Sequence, residues 1–378
     1  MCSIQDFLAF LRYCLADNDK TVPDIVSTID WHELLDFAKK QGVAGIYGHT
    51  ILYDNADLEA CQWMGNKPDA RCVMAWMRIT GGIIECNKQL NSYCTKTVEG
   101  FTKAGYRSCI LKGQGNTLYY KDPYIRTTGD IDIWVDAPRW ELFKFVKDMF
   151  PLAPFKCQHI ELPIWKDIEV ELHFFPMYLE NLWSNHRLMK YYRKHKDQQF
   201  ANKVLLPGTT QTIAIPTAAF NAIYQLTHIN VHILIEGIGL RHMIDYFYVL
   251  KNLDDNERRQ TVEIVKRLNI GKLAASVMYI EKYALGLDDK YLYIQPDAKR
   301  GRRLMEEIEI GGNFGFYDTR MNAENETFWH RQIRKIMKHS RFITDYPSEE
   351  LSEPIFRILH FLWRQYYNLR WKIYRMKK

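Results

Sequence analysis

The stretch GDIDIWVD at residues 129–136 is the most informative part of this 378-residue chain for its fold. Acidic and aromatic side chains (Asp130, Asp132 and Trp134) alternate strictly with aliphatic ones. This period of two is typical of a β-strand with one buried face. Because acidic residues are depleted in strands, two of them on one face indicate a functional site more strongly than a solvated strand surface.

Two carboxylates at positions i and i+2 of a strand project from the same face, with their Cα atoms about 6.5 Å apart. Like charges at this spacing raise each other's pKa unless a cation joins them, and Mg²⁺ prefers oxygen ligands. Asp130 and Asp132 are therefore candidate metal ligands. A third carboxylate would come from a neighbouring strand. In the strand-like run DIEVELHF (167–174) we select Glu171 over Glu169.

The segments around GDIDIWVD predict a small sheet with helices. Strand-like runs lie at 106–113, 157–164 and 167–174. Trp165-Lys166 separates the last two runs and predicts a hairpin. Asp136 and Pro138 begin a helix that ends near Phe150, and Asp136 is more typical of its N-cap than of a metal ligand.

Helical patterns occupy both ends of the chain. The N-terminal part predicts a helix between Asp30 and Gly42 and a long helix from about 69 to 104. The C-terminal part predicts helices at 217–236, 240–250, 255–285, 296–309, 326–342 and 353–377. We therefore expect an α+β fold with a helical region at 1–104, a core at 105–215 and a helical domain at 216–378.

Three stretches resemble a known family. LKGQGNTLYYKDPYIRTTGDIDIWVD, VELHF and LTHINVHILIEGIGLRHMIDYFYVL, within residues 106 to about 251, are similar to uncharacterised bacterial nucleotidyltransferases of the DNA-polymerase-β-like superfamily. The resemblance implies an enzyme that moves a nucleoside monophosphate from an NTP such as ATP to an acceptor hydroxyl of unknown identity. It also implies that two Mg²⁺ ions are held by the catalytic residues Asp130, Asp132 and Glu171.

The same resemblance implies where the nucleotide binds. A strand that ends in a glycine lets backbone amides approach a triphosphate. Backbone or charge-assisted contacts to the nucleotide would come from Lys112, Gly113, Gln114, Arg126 and Gly129. Glu171 would bind the metal nearer the acceptor and help to deprotonate the attacking hydroxyl.

Other polar residues allow more than one interpretation. His173 either binds a metal or a phosphate, or is a hydrogen-bonded core histidine. Arg241 and Asp245, at i and i+4, predict an intrahelical ion pair. One helix face carries His228, His232 and Glu236. We expect this face to line the cleft and not to bind zinc, because no HExxH motif is present.

Composition limits the class of protein. Hydrophobic residues make up 47% of the chain and charged residues 25%, as in folded globular proteins. Eight cysteines without a CxxC pair, and no apolar signal segment, are expected of a cytoplasmic protein whose thiols are buried apolar groups. Basic residues interrupt the apolar C-terminal region, so we expect no transmembrane segment.

Positive charge is concentrated at the C-terminus. Residues 331–378 contain twelve Lys/Arg and four Asp/Glu, although the whole chain has a net charge of only +6. The last helix carries an apolar seam with heptad spacing, formed by Ile355, Leu359, Leu362, Tyr366, Leu369, Ile373 and Met376. We expect this seam to pack on the chain's own helices or on a second copy in a homodimer. The alternative function is a non-catalytic protein that uses the basic helix to bind nucleic acid or an anionic membrane surface.

Overall fold

A four-stranded mixed sheet forms the centre of the computed structural model, which describes residues 3–17, 21–318, 320 and 341–377. The strands are β1 (Ser108–Ile110), β2 (Ile131–Val135), β3 (His159–Glu161) and β4 (Val170–His173). Their spatial order is β1-β2-β4-β3, with β2 and β4 parallel and both outer pairs antiparallel. The predicted strands, and the hairpin between the last two, are confirmed.

The α-helices before the sheet are α1 (Ile4–Leu15), α2 (Trp31–Gln41), α3 (Ala44–Leu52), α4 (Ala56–Ala60) and α5 (Ala70–Lys103). The carboxylate of Asp30 accepts hydrogen bonds from the amides of His32 and Glu33, which fixes the start of α2. Gly42, with a φ of 68°, ends α2 in the left-handed conformation that glycine favours. Both predicted N-terminal helices are confirmed.

The other described α-helices are α6 (Gln114–Thr117), α7 (Arg139–Met149), α8 (Leu182–Ala201), α9 (Ala218–Ile235), α10 (Leu240–Lys251), α11 (Asp255–Arg267), α12 (Gly271–Tyr279), α13 (Ala298–Gly311), α14 (Pro347–Glu350) and α15 (Glu353–Met376). The predicted α+β class, a small mixed sheet flanked by helices, is confirmed. The predicted helix at 326–342 lies outside the described residues.

Three local features differ from the sequence-based expectations. The pattern does not predict α8, because this helix is mostly polar and buries only five of its twenty side chains. It also misses a short hairpin of β5 (Lys203–Leu205) and β6 (Thr212–Ala214). The single helix expected at 255–285 is interrupted at Asn269, whose φ of 58° is incompatible with continuing α11.

Asp136 is not the N-cap of α7, so that prediction was wrong. Pro138 occupies the N-cap position and no side chain caps the helix. The carboxylate of Asp136 instead forms ion pairs with Arg107 and Lys196. Asp136 therefore links the end of β2 to α8, since Lys196 lies on that helix.

The N-terminal and C-terminal helices share one hydrophobic core. Gln41 at the end of α2 connects them, because its amide donates to the carbonyl of Ile308 (3.0 Å) and its side-chain oxygen accepts from the amide of Leu240 (3.1 Å). A second core lies between the sheet, α7 and α15. A small pocket lies between the start of β2 and helices α9 and α10.

The C-terminal helix α15 docks through aromatic rings and not through its apolar seam. Trp363, Tyr367 and Trp371 pack against α7 and its surroundings, whereas the seam side chains are 41–79% exposed. The predicted packing of the seam on the chain's own helices is therefore wrong. No helix of the described residues has the length and hydropathy that crossing a membrane requires.

Buried carboxyl groups join α14 to the segment before α8. The amide of Glu180 donates to Oε2 of Glu349 (2.8 Å), and the two side chains are 3% and 2% exposed. Burial, followed by the negative charges of Glu353 and Glu349, raises the pKa of Glu180 to about 9. Glu180 is therefore protonated in the folded protein at neutral pH.

We expect Glu180→Gln to stabilise the protein at pH 8, by up to about 5 kcal/mol, and to have a much smaller effect at pH 5. The folded-state pKa lies above the unfolded value, so the stability falls as the pH rises from about 4.5 towards about 9. Glutamine copies the neutral carboxyl and removes this dependence. Urea unfolding of both proteins at the two pH values measures the effect, with the exposed Glu263→Gln as control. Equal stabilisation at both pH values would refute the assignment.

Candidate active site

The three predicted metal ligands converge at one end of the sheet. Asp130 immediately precedes β2, Asp132 lies in it, and the parallel register of β2 and β4 places Glu171 directly opposite Asp132. One carboxylate oxygen of each residue lies within 4.8 Å of the other two. Asp132 is only 2% exposed. The sequence-based expectation that these three acids meet is therefore confirmed.

Lys112 lies among the acids and supplies a compensating charge. Its Nζ is 3.2 Å from Oδ2 of Asp132 and 3.7 Å from Oδ2 of Asp130. It also lies 2.9 Å from Nε2 of His228. Burial and the nearby ammonium hold the pKa of His228 well below its usual range, so the neutral ring accepts a hydrogen bond from Lys112. The side chain predicted to contact phosphate thus contacts the aspartates in this structure.

His173 bridges two of the acids. Its Nε2 lies 2.8 Å from Oδ1 of Asp132 and 3.2 Å from Oε2 of Glu171, and its Nδ1 lies 3.2 Å from the carbonyl oxygen of Pro176. Because both ring nitrogens face oxygen acceptors, both must carry a proton. Burial would lower the pKa of His173, but the hydrogen bonds to the two carboxylates raise it to about 9. His173 is therefore a hydrogen-bonded cation that holds the acids in place.

His159 is a site residue that the sequence pattern alone did not single out. Its Nδ1 lies 2.7 Å from Oε2 of Glu171, and the register of β3 and β4 pairs it with His173. The predicted hairpin at Trp165-Lys166 could have identified His159, because His159 and His173 lie equally far from Lys166 along the chain and so pair across the two strands. The two rings thus hold the glutamate from either side.

The three acids differ in how well their charges are compensated. Burial and the charge of Asp132 raise the pKa of Asp130, with Lys112 opposing them. Burial would also raise the pKa of Glu171, but His159 and His173 hold it well below its usual range. Asp130 is therefore the carboxylate whose ionised form gains most from a bound cation.

Arg126 is held by a carboxylate from α10. Its Nε and Nη2 donate to the two carboxylate oxygens of Asp245, both at 2.8 Å, and the hydroxyl of Tyr120 donates to the same carboxylate at 2.7 Å. The intrahelical ion pair expected between Asp245 and Arg241 is therefore replaced by a pair across elements. Since two donors of Arg126 are already used, this side chain fixes the loop before Gly129. Its phosphate contact remains a prediction.

Arg241 and Arg126 both line the pocket beside the acids. The same pocket is lined by Lys112, Gly113 and Asp130. Nη1 of Arg241 donates to the carbonyl of Thr128 (2.9 Å), and its buried Nε has no hydrogen-bond partner in the part of the chain that the structure describes. Among the described residues, no carboxylate lies within ion-pair distance of this guanidinium. Burial, followed by the charge of Arg126, lowers the pKa of Arg241 to about 10. An anion bound in the pocket would therefore offset the free-energy cost of burying the charged guanidinium.

The glycines and Gln114 of the predicted nucleotide site have different environments. Gly113, with a φ of 61°, lines the pocket and begins the four-residue helix α6. A Cβ at Gly129 would lie 3.1 Å from Nη1 of Arg241, so glycine leaves room for that guanidinium. The side-chain amide of Gln114 donates to Asn91 (2.6 Å) on α5, away from the pocket. Only the backbone of Gln114 remains predicted to contact a nucleotide.

Of the three residues on the helix face expected to line the cleft, only His228 lines the pocket. Nε2 of His228 lies 3.0 Å from Nε2 of His232, whose Nδ1 lies 3.0 Å from Oε2 of Glu236. His242 of α10 also lines the pocket, although the sequence pattern did not indicate it. In the described part of the chain, the compact candidate metal groups are the three acids and the set His159, Glu171 and His173.

An α+β fold with three converging acids beside a cationic pocket is the arrangement expected of a nucleotidyltransferase. The chain belongs to the family of uncharacterised nucleotidyltransferases, whose model matches residues 27–286. A search of curated proteins finds no match. Among solved structures, the chain is similar to an antigenic nucleotidyltransferase-like protein from Paracoccidioides brasiliensis, with 12% identity and a TM-score of 0.33. That match covers 52% of this chain and 91% of the other.

Proposed function

We propose that this protein transfers a nucleoside monophosphate from an NTP to an acceptor hydroxyl, with Mg²⁺ held by Asp130, Asp132 and Glu171. The convergence of three carboxylates from two parallel strands carries the proposal. Their donor atoms are all oxygens, which is the set that Mg²⁺ prefers. Bound there, Mg²⁺ would lower the pKa of the attacking hydroxyl and neutralise charge on the leaving pyrophosphate.

Lys112 acts as the counter-charge of the site. Its ammonium lies 3.2 Å from Oδ2 of Asp132, and the side chain is long enough to move to a phosphate oxygen once Mg²⁺ supplies the acids with another counter-charge. The Lys112 side chain would then contact the triphosphate, as the sequence-based prediction requires. This exchange keeps the buried charges balanced in both states.

The two histidines orient the metal-binding acids. His173 donates to Asp132 and Glu171, and His159 contacts Glu171 from the other side. Fixed carboxylates lose little freedom when they bind a cation, which favours binding. Because these contacts hold the pKa of Glu171 far below neutral, Glu171 is a poor proton acceptor. We therefore assign it metal binding and not the deprotonation of the acceptor.

A thermal-shift screen tests this function. We expect at least one of the four NTPs, with Mg²⁺, to raise the unfolding temperature, because a ligand at 100 times its Kd stabilises the folded state by about 2.7 kcal/mol. Labelled nucleotide should then be transferred to an acceptor in a cell extract. If no NTP shifts the unfolding temperature with Mg²⁺ present, the proposal fails.

Arg241 should contribute to triphosphate affinity. We expect Arg241→Ala to weaken NTP binding by about ten- to a hundredfold, since a charge-assisted hydrogen bond contributes about 1.5 to 3 kcal/mol. Arg241→Lys, which keeps the charge, should retain part of the affinity. Isothermal titration calorimetry with a nonhydrolysable NTP measures both, and Arg259→Ala on exposed α11 is the control. Wild-type affinity in a folded Arg241→Ala protein would exclude this role.

A further inference from the structure

The outward side of α15 is a long amphipathic surface. The helix has 24 residues and is about 36 Å long. The apolar seam is widened by Ile358 and Phe361, and all of these side chains are 41–79% exposed. Isolated exposed apolar residues are normal on a protein surface, but a continuous stripe of this length indicates a binding surface.

The opposite side of α15 is fixed to the protein. The ring of Tyr367 lies 5.2 Å from that of Phe143, and the ring of Trp363 lies 5.6 Å from that of Phe155. The guanidinium of Arg370 lies 4.1 Å above the ring of Trp140. At about 100° per residue, the docked face and the seam are centred about 130° apart. The helix therefore cannot turn its seam inward without losing these contacts.

Positive charge borders the seam on both sides. Helical spacing places Lys377 along one border and Lys372 along the other. After Glu353 the helix contains no acidic residue. The surface thus combines exposed aliphatic side chains with two lysines that form no ion pair within the described part of the chain.

We propose that α15 binds the surface of an anionic lipid bilayer. The apolar seam would enter the boundary between headgroups and acyl chains, while the bordering lysines would contact lipid phosphates. The helix would lie parallel to the membrane plane, because its docked face holds it along the protein surface. This inference does not depend on the proposed nucleotidyl transfer.

The charge pattern favours lipid over a second copy of the chain. Two α15 helices joined through their seams would bring cationic borders together with no carboxylates after Glu353 to compensate them. Nucleic acid would pair with the cations but would leave the aliphatic seam in water. An anionic bilayer satisfies both features at once.

Vesicle flotation with the full chain tests the proposal. We expect co-flotation with vesicles of equal parts phosphatidylcholine and phosphatidylglycerol, and at least tenfold weaker association with phosphatidylcholine alone. Leu362→Gln with Leu369→Gln should lower the partition coefficient at least about tenfold, because burying a leucine contributes about 1.5 to 3 kcal/mol. Lys372→Gln with Lys377→Gln should lower it about thirtyfold, since each charge near an anionic surface contributes about 1 kcal/mol.

The matched control replaces two leucines that are exposed elsewhere. Leu152→Gln with Leu205→Gln makes the same chemical change on residues that are 95% and 54% exposed, and should leave partitioning unchanged. All variants alter exposed positions, and their unfolding temperatures report whether they fold. Failure of the wild-type protein to float with anionic vesicles would overturn the proposal. So would wild-type partitioning of the Leu362/Leu369 variant, or a dimer in sedimentation that this variant dissociates.

Discussion

Replacing Asp130 and Asp132 together by asparagine should abolish Mg²⁺-dependent NTP binding and lower nucleotidyl transfer by at least about a thousandfold. Bound metal supplies several kcal/mol of charge stabilisation in such reactions, and each 1.4 kcal/mol is a factor of about ten in rate. Asparagine keeps the size of each side chain but removes both charges. Calorimetry of Mg²⁺ and NTP binding, with labelled-nucleotide transfer, measures the two effects.

Two further variants make this result specific. Asp130→Asn alone alters the more accessible of the two aspartates, so it remains informative if the double variant unfolds. Glu169→Gln changes an exposed acid beside β4 and should leave both binding and transfer intact, whereas Glu171→Gln should not. Metal-dependent NTP binding that survives in the folded double variant would contradict the proposed function.

Asp245→Ala should lower the free energy of unfolding by about 3 to 5 kcal/mol. Both Arg126 and Asp245 are nearly inaccessible, so removing the carboxylate leaves a buried guanidinium without its charge partner and Tyr120 without its acceptor. Chemical denaturation at neutral pH measures this loss. NTP affinity should also fall, because Arg126 fixes the loop that leads to Gly129 and Asp130.

A double replacement distinguishes the loss of the attraction between Arg126 and Asp245 from the cost of leaving the buried Arg126 charge unpaired. Arg126→Met with Asp245→Leu removes both charges and fills similar volumes, and we expect it to recover more than half of the stability lost in Asp245→Ala. If Asp245→Ala lost less than about 1 kcal/mol, the pair would behave like an exposed salt bridge and the structural role would be wrong.

The acid pair could be found from sequence because strand periodicity is local. Alternation in GDIDIWVD is enough to place Asp130 and Asp132 on one face, and the strand-like run 167–174 supplies Glu171. Parallel pairing of β2 and β4 then brings the three together. The convergence of the three acids was therefore predictable without a structure.

The cations around the acids could not be assigned in the same way, because their partners are distant in sequence. Arg126 pairs with Asp245, 119 positions later, and no periodic signal connects them. The local spacing of Arg241 and Asp245 suggested the wrong pair for the same reason. Both arginines line the pocket, and tertiary packing determines that Arg126 is the one paired with a carboxylate.

Helix α15 shows the limit of apolar periodicity as a guide to packing. Heptad spacing identifies the seam correctly as a stripe, but spacing alone does not say whether a stripe is covered. In the structure the aromatic face of Trp363, Tyr367 and Trp371 is docked, because large rings fill the space beside α7. The seam that the pattern indicated as a packing surface faces outward.

The proposed metal binding by the acids can be tested directly. Crystals grown with Mn²⁺ and a nonhydrolysable NTP would show anomalous scattering from any bound Mn²⁺. We predict at least one peak within coordination distance of Asp130, Asp132 and Glu171, with Lys112 moved from the aspartates towards the triphosphate. A bound nucleotide with no Mn²⁺ between these acids, or Mn²⁺ held elsewhere in the chain, would contradict this account of the site.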